Sequence, residues 1–211
     1  MARRLLPVAV ALLLVTSGCV GLITGETVTF EASPATVSDS TLDSTGYELR
    51  NATQANVTRD VTVAGQDRTV RLVTERRQYT RSGSVFGVEV VELSRFVVVS
   101  IPSATVAGQT LNPAADWANR RILEAVQGQT RSIDDVEPAG NRTVRVLGED
   151  RRVSEFTGTT EVAGQPLDVR LHIVGFQHEG DIVIGVAVHP ENVGETDAVD
   201  DLLFGLRHGS D

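Results

Sequence analysis

Three of the four histidines, all in the last third of the chain, offer the plainest chemistry: His172, His178 and His189. If Glu179-Gly180 is a two-residue turn, the flanking strands set His178 opposite Asp181, His172 opposite Ala187 and Arg170 opposite His189. Residues of like parity share a face of a strand, so His172 and His189 become diagonal neighbours with Arg170 between them. Two imidazoles so placed could hold a transition metal and serve a metal-using hydrolase. The competing reading is a core pair, since Val174, Phe176, Val183 and Ala187 share that face and Arg170 repels a cation. The other face carries Leu171, Ile173, Ile182, Ile184, Val186 and Val188 and must be core. A hairpin apolar on both faces is covered on both sides, by helices on each, or by a helix on one and a ligand groove or partner on the other. Val174, Phe176 and Val183 are the groove candidates.

Other routes to catalysis lack their spacing. The sequence contains no Gly-x-Ser-x-Gly elbow, Walker loop or dinucleotide fingerprint, and Ser84 between Gly83 and Gly87 misses the elbow. Asp134, Asp135 and Glu137 are oxygen ligands without the Asp-x-Asp-x-Asp-Gly spacing of a calcium loop. No catalytic residue and no cofactor is assigned, and the chain reads as non-enzymatic. The alternatives are the hydrolase using His172 and His189, or a passive component of the cell surface.

The only thiol is Cys19, so the folded part has no disulfide and no thiolate metal site. Cys19 ends a different pattern. Arg3-Arg4 precedes the apolar run Leu5 to Val15, followed by small residues through Gly18. Residues 1–18 read as a secretory signal and residues 19–26 as a lipidated tether. Eleven apolar residues make a helix of roughly 16 Å, against a bilayer core of about 30 Å. Cys19 would therefore carry the anchor as a diacylglycerol thioether, on the extracytoplasmic face of the cell membrane. An uncleaved anchor over Leu5 to Ile23 is the alternative, weakened by Thr16, Ser17 and Gly18. Arg3-Arg4 also leaves export through the Sec or the twin-arginine route open.

Composition narrows the partners. The 211 residues carry 28 acidic side chains against 19 basic ones, for a net charge of −9. Every basic residue is arginine; there is no lysine. Dense carboxylates without lysine suit a salt-loving archaeon, where molar salt cuts the screening length to ~3 Å and removes self-repulsion. No basic stripe exists to displace counterions from phosphate, which excludes a nucleic-acid partner. The remaining partners are the membrane, through the lipid, and an envelope protein or small ligand. Asn51, Asn56 and Asn141 each begin an Asn-x-Thr sequon and are candidate glycosylation sites.

The elements that would position these groups follow from periodicity. Alternation predicts strands over Thr27–Ala32, Tyr47–Val63, Arg68–Thr80 and Val85–Ile101, the last two joined by Arg81-Ser82-Gly83-Ser84. A second set covers Thr143–Leu147, Arg151–Val162, Leu167–His178 and Asp181–His189. Ser38 and Gly46 bracket a short helix over Asp39–Ser44. Asn112-Pro113 opens a helix to Gln127, and Val199, Leu202, Leu203 and Leu206 stripe a final helix over Thr196–Arg207. The acidic stretch Arg131–Gly140 reads as a loop between pseudo-halves 27–130 and 141–211 of one domain, residues 27–211. Seven of eleven residues of Thr62–Leu72 recur in Glu161–Leu171, at an offset of 99. Both copies sit at a hairpin turn, so the chain reads either as two β-β-β-α units or as reuse of a good turn, for Val106-Ala107-Gly108-Gln109 repeats its core. The expected class is α+β: a mainly antiparallel sheet with helices packed on its faces.

The hairpin, proline and terminal amphipathic helix look like the sandwich of the PsbP and Mog1 proteins, an outline that transmits no activity. The whole chain, through its lipobox, Phe30-Glu31-Ala32-Ser33-Pro34-Ala35 and Thr45-Gly46-Tyr47, resembles an uncharacterised family of haloarchaeal lipoproteins. That resemblance implies a place and no mechanism.

Overall fold

The computed structural model describes residues 27–63, 65–106, 109–111, 119–127 and 133–209. The signal, the tether with Cys19, and the Asn112-Pro113 helix start lie outside them.

One eight-stranded sheet dominates. Its strands are β1 (Val28–Glu31), β3 (Glu48–Val63), β4 (Gln66–Val85), β5 (Val88–Pro102), β8 (Asp134–Val146), β9 (Glu149–Val162), β10 (Gln165–His178) and β11 (Asp181–Pro190). They lie in the order β3-β4-β5-β11-β10-β9-β8. β1 runs parallel to β4, Val28 opposite Val70. Since β3 occupies one edge of β4 there, β1 takes the edge that β5 uses from Glu75 onward. Two small ribbons complete the strands: β2 (Ala35–Val37) pairs β12 (Leu206–His208), and β6 (Thr105–Val106) pairs β7 (Gln109–Thr110). The helices among the described residues are α1 (Asp39–Thr45), α2 (Asn119–Gln127) and α3 (Thr196–Phe204).

The expected α+β class is thereby corrected. The protein is mostly β, its sheet is mixed, and its helices are too few and short to form layers over the sheet faces. α1 has 7 residues and α2 and α3 have 9 each, beside strands of up to 20. The two β-β-β-α units fail too: the second set has four strands, β8 to β11, and β11 pairs with β5 to make one sheet. Arg81–Ser84 is not the turn; β4 runs to Val85 and turns at Phe86-Gly87. Asp134 to Gly140 of the acidic stretch are not loop but part of edge strand β8, broken by irregularities near Val136 and Ala139. The last helix stops at Phe204, and Leu206 to His208 are strand.

Turn chemistry explains the registers. Phe86-Gly87, Leu147-Gly148, Ala163-Gly164 and Glu179-Gly180 each place two successive residues at positive φ. That is a type I′ turn, whose twist matches the strands it joins. The residues that flank each copy of the Val-Ala-Gly-Gln echo pair across a hairpin: Val63 with Gln66, Val162 with Gln165 and Val106 with Gln109.

Strand alternation sorts the core onto two faces. Phe96, Val98, Val174, Val183 and Ala187 share one cluster with Val199, Leu202 and Leu203 of α3 and with Leu206. Leu171, Ile173, Ile182 and Ile184 share another with Ile122 and Leu123 of α2. Burial of each such side chain contributes about 1.5–3 kcal/mol. β2 is tied down by the Val37 N–H, which donates to the Tyr79 hydroxyl at 3.0 Å. α1 meets α3 closely at Gly205, whose carbonyl accepts from the Ser38 N–H at 3.0 Å.

A Cβ on Gly205 would fall onto the Thr41 side chain, down to that residue's own Cβ. Gly205→Ala is therefore expected to cost about 1–3 kcal/mol by overpacking, read as a lowered urea midpoint at unchanged slope.

Candidate functional site

Two features stand out in the final sheet half: a buried histidine pair and a place where two strands part. The pair is the one that the Glu179-Gly180 turn implies. His178 lies opposite Asp181, His172 opposite Ala187 and Arg170 opposite His189. The two Nε2 atoms of His172 and His189 are 2.9 Å apart, with rings stacked at 16°. Their residues are 2% and 1% exposed.

Arg142, from β8, decides the protons. Its Nη1 lies 2.7 Å from His172 Nδ1. A guanidinium only donates, so Nδ1 must accept and the neutral ring carries its proton on Nε2. That proton is donated to His189 Nε2, which leaves His189 protonated on Nδ1, and Nδ1 donates to the Pro190 carbonyl at 2.8 Å. The chain Arg142 to His172 to His189 to Pro190 is complete and runs one way. It consumes the lone pairs a metal would need, and Arg142 adds a positive charge at contact distance. The metal alternative for His172 and His189 has no support in this geometry.

Arg142 is also the hub of an ion network. Its Nε donates to Asp200 Oδ1 at 2.8 Å and its Nη1 to Glu155 Oε1 at 2.7 Å. Glu155 Oε2 accepts from Arg170 at 3.4 Å, and Arg170 reaches Glu191 at 2.5 Å. Burial opposes the charge on Arg142, but Asp200 and Glu155 more than offset it and raise its pKa. Burial lowers the pKa of His172 from 6.5 to about 3, helped by Arg142, His189 and Arg170. Burial also lowers that of His189, against the Pro190 carbonyl.

The groove candidates part company. Val174 and Val183 are 1% and 0% exposed, in the cluster that α3 fills, so no groove lies over them. Phe176, 8% exposed, borders a different opening. Pairing between β9 and β10 ends at Ile173 opposite Ser154, although β9 begins at Glu149 and β10 runs on to His178. The sheet splits there. The cleft of ≈ 660 Å³ is lined among others by Arg151, Arg152, Glu155, Phe156, Gly175 and Phe176. Asn119 of α2 reaches in and donates to the Arg152 carbonyl and Ser154 Oγ, both at 3.0 Å. The Arg151 guanidinium lies 4.6 Å over the Phe176 ring, a cation–π contact across the gap.

The sequons fall on the two outer strands. Asn51 and Asn56 are exposed on β3, and Asn141 is exposed on β8, its Oδ1 accepting from Arg152 and Ser154. Asp134, Asp135 and Glu137 lie along β8. No described helix is long and apolar enough to cross a membrane.

A family model described as a domain of unknown function, DUF6517, matches residues 34–207. The chain belongs to that family. The DUF6517 match begins at Pro34, between β1 and β2, and closes within β12, so it takes in the histidine pair, the Arg142 hub and the cleft. No curated protein matches the chain. Among solved structures, the DUF6517 domain is similar to cyanobacterial PsbP (CyanoP) from Synechocystis sp. PCC 6803, at 11% identity and TM-score 0.37, covering 85% of this chain and 94% of that one. It is also similar to LpqN, involved in cell envelope biogenesis of Mycobacterium tuberculosis, at 9% identity and TM-score 0.30, covering 78% and 91%. Likeness at these scores carries neither fold nor role across.

Sequence reasoning missed Arg142 and the cleft. The only signal for Arg142 was an arginine within the Asn141-Arg142-Thr143 sequon; its partners lie up to 58 positions away.

Two outcomes follow. Arg142→Ala strands Glu155, Asp200 and the His172 lone pair, and is expected to cost about 3–5 kcal/mol, measured by urea unfolding. Below pH 6.5 the unfolded imidazoles take up protons that the folded ones refuse. The stability that His172 contributes is therefore present at neutral pH and is lost as pH falls from 6.5 toward about 3, by up to about 1.4 kcal/mol per pH unit, and His189 acts in the same direction. His172→Gln, which can still accept from Arg142 and donate to His189, should remove its share of that slope.

Proposed function

We propose that the protein is a haloarchaeal lipoprotein, anchored through Cys19 on the extracytoplasmic face of the membrane, whose folded domain binds an envelope partner or small ligand without catalysis. The binding place is the cleft between β9 and β10. The observation that carries this reading is the early end of the β9–β10 ladder at Ile173 and Ser154. Beyond it each strand turns an edge of backbone donors and acceptors toward the opening, and such groups are satisfied by pairing, water or a ligand. The lining supports a ligand that is apolar in part and polar in part. Phe156 and Phe176 supply apolar surface, Asn119 an amide, and Arg151 and Arg152 positive charge facing the carboxylates of Asp150 and Glu155. Arg151 Nε is buried and has no hydrogen-bond partner among the described residues.

The anchor half of the reading rests on the lipobox before Cys19 and the net charge of −9 without lysine. A folded domain with no spanning helix among its described residues fits attachment by acyl chains. Asn51, Asn56 and Asn141 are exposed on the outer strands, where an exported domain would accept glycans.

Both halves are testable in native cells at high salt. Cys19→Ser is expected to release the protein from membranes into the soluble fraction. A photo-crosslinking residue at position 152, in the cleft, is expected to give a defined adduct by mass spectrometry. The same residue at position 57, exposed on β3, should give none. Equal labelling at both positions counts against the cleft.

A further inference from the structure

We propose that His178, Glu179 and His208 form a binding site for a divalent transition-metal ion, with Asp181 holding His208 in the ligating orientation. The group lies at the Glu179-Gly180 turn, away from the Arg142 hub. It is drawn from three segments: the β10–β11 hairpin, the last strand β12, and the Ser33 backbone between β1 and β2.

The geometry is close to what an ion requires. His178 Nδ1 and His208 Nδ1 are 3.0 Å apart, and one ring nitrogen from each histidine and a carboxylate oxygen of Glu179 all lie within 4.8 Å of one another. Two imidazole ligands of a tetrahedral ion sit about 3.4 Å apart, at metal–nitrogen distances near 2.1 Å. The rings need to separate by only a few tenths of an ångström. They meet edge to face, at 74°.

Proton placement separates this pair from the first one. His208 Nε2 lies 3.1 Å from Asp181 Oδ2, whose oxygen also accepts from the Ser33 N–H at 2.7 Å. A carboxylate only accepts, so Nε2 carries the His208 proton and Nδ1 is left bare. Metal-binding histidines are oriented by such a carboxylate on their second nitrogen. At His172 the donor is an arginine and the polarity is reversed. Only one proton then lies between the two Nδ1 atoms, on His178. Moving it to His178 Nε2 frees the second ligand with no net change of charge. Two imidazoles and one carboxylate suit zinc-like ions and leave a fourth position for water. The His208 side chain is buried, while Glu179 is exposed and gives an ion its way in.

The test uses the full chain in detergent, stripped with a chelator and titrated with Zn²⁺ against a chromophoric competitor, then with Co²⁺ in the visible range. One equivalent of Zn²⁺ is expected to bind and to raise the thermal midpoint, and Co²⁺ should give the intense bands of a four-coordinate site. Glu179→Gln, on the exposed turn, should weaken Zn²⁺ binding at least tenfold while leaving the metal-free urea midpoint unchanged. His178→Ala should abolish binding, and His172→Gln should leave it intact. Absence of one-equivalent binding in the native chain overturns the proposal, as does an affinity unchanged in Glu179→Gln.

Discussion

A single guanidinium constrains more of this protein than any other group. Arg142 stands on β8, bridges Glu155 on β9 and His172 on β10, and holds Asp200 on α3. A cation that is mostly out of water is tolerated only where its donors are satisfied and its charge is matched. Here two carboxylates match it and an imidazole takes a further donor. Removing any partner leaves a charge or lone pair stranded in a low-dielectric place. The network is therefore specific as well as stabilising: it fixes how α3 sits against the sheet and which nitrogen of each buried histidine carries its proton.

The same logic distinguishes the two histidine pairs. Both put imidazole nitrogens at about hydrogen-bond distance, 2.9 Å and 3.0 Å. Distance alone would rank them equal. What differs is the group on the far nitrogen. Arginine beneath His172 turns that ring into a donor toward its neighbour, whereas aspartate beneath His208 leaves a lone pair facing its neighbour. Burial pushes the Asp181 carboxyl up, against the Ser33 N–H and His208, which favour its charge. One pair is a polar rivet; the other has the electronic form of a ligand set.

How much of this could be read beforehand follows the range of the interactions. Local turn chemistry was legible. Glu179-Gly180 fixed the β10–β11 register residue by residue, and Ser38 and Gly46 bracketed α1. Phe86-Gly87 read as strand and Arg81-Ser82-Gly83-Ser84 as the joint, because the latter residues look more like a turn; they sit in strand opposite Glu89 to Ser94. The polar stretch Asp134 to Pro138 read as loop because an edge strand can be solvated on both faces and lose its alternation. The stripe of the last helix holds at Val199, Leu202 and Leu203, but Leu206 falls in β12, so a stripe does not report where a helix ends, and the α+β class gave short helices too much weight beside strands of up to 20 residues. Arg142 and the cleft depend on which strand ends fail to meet, which no window of sequence contains.

The ribbon of β2 and β12 has a consequence in time. Residues 35–37 pair with residues 206–208, nearly the whole domain apart in the chain. A polypeptide emerging amino end first can form its hairpins as it appears, since each closes over two residues. It cannot seal its first segment until its last has arrived. Joining such distant stretches is the slow kind of step, because the long loop's entropy is lost before the contact returns anything. The finished domain is thus latched last at the place where its opening and closing residues meet, and a chain stalled short of residue 206 would wait, assembled in parts, with its seam open.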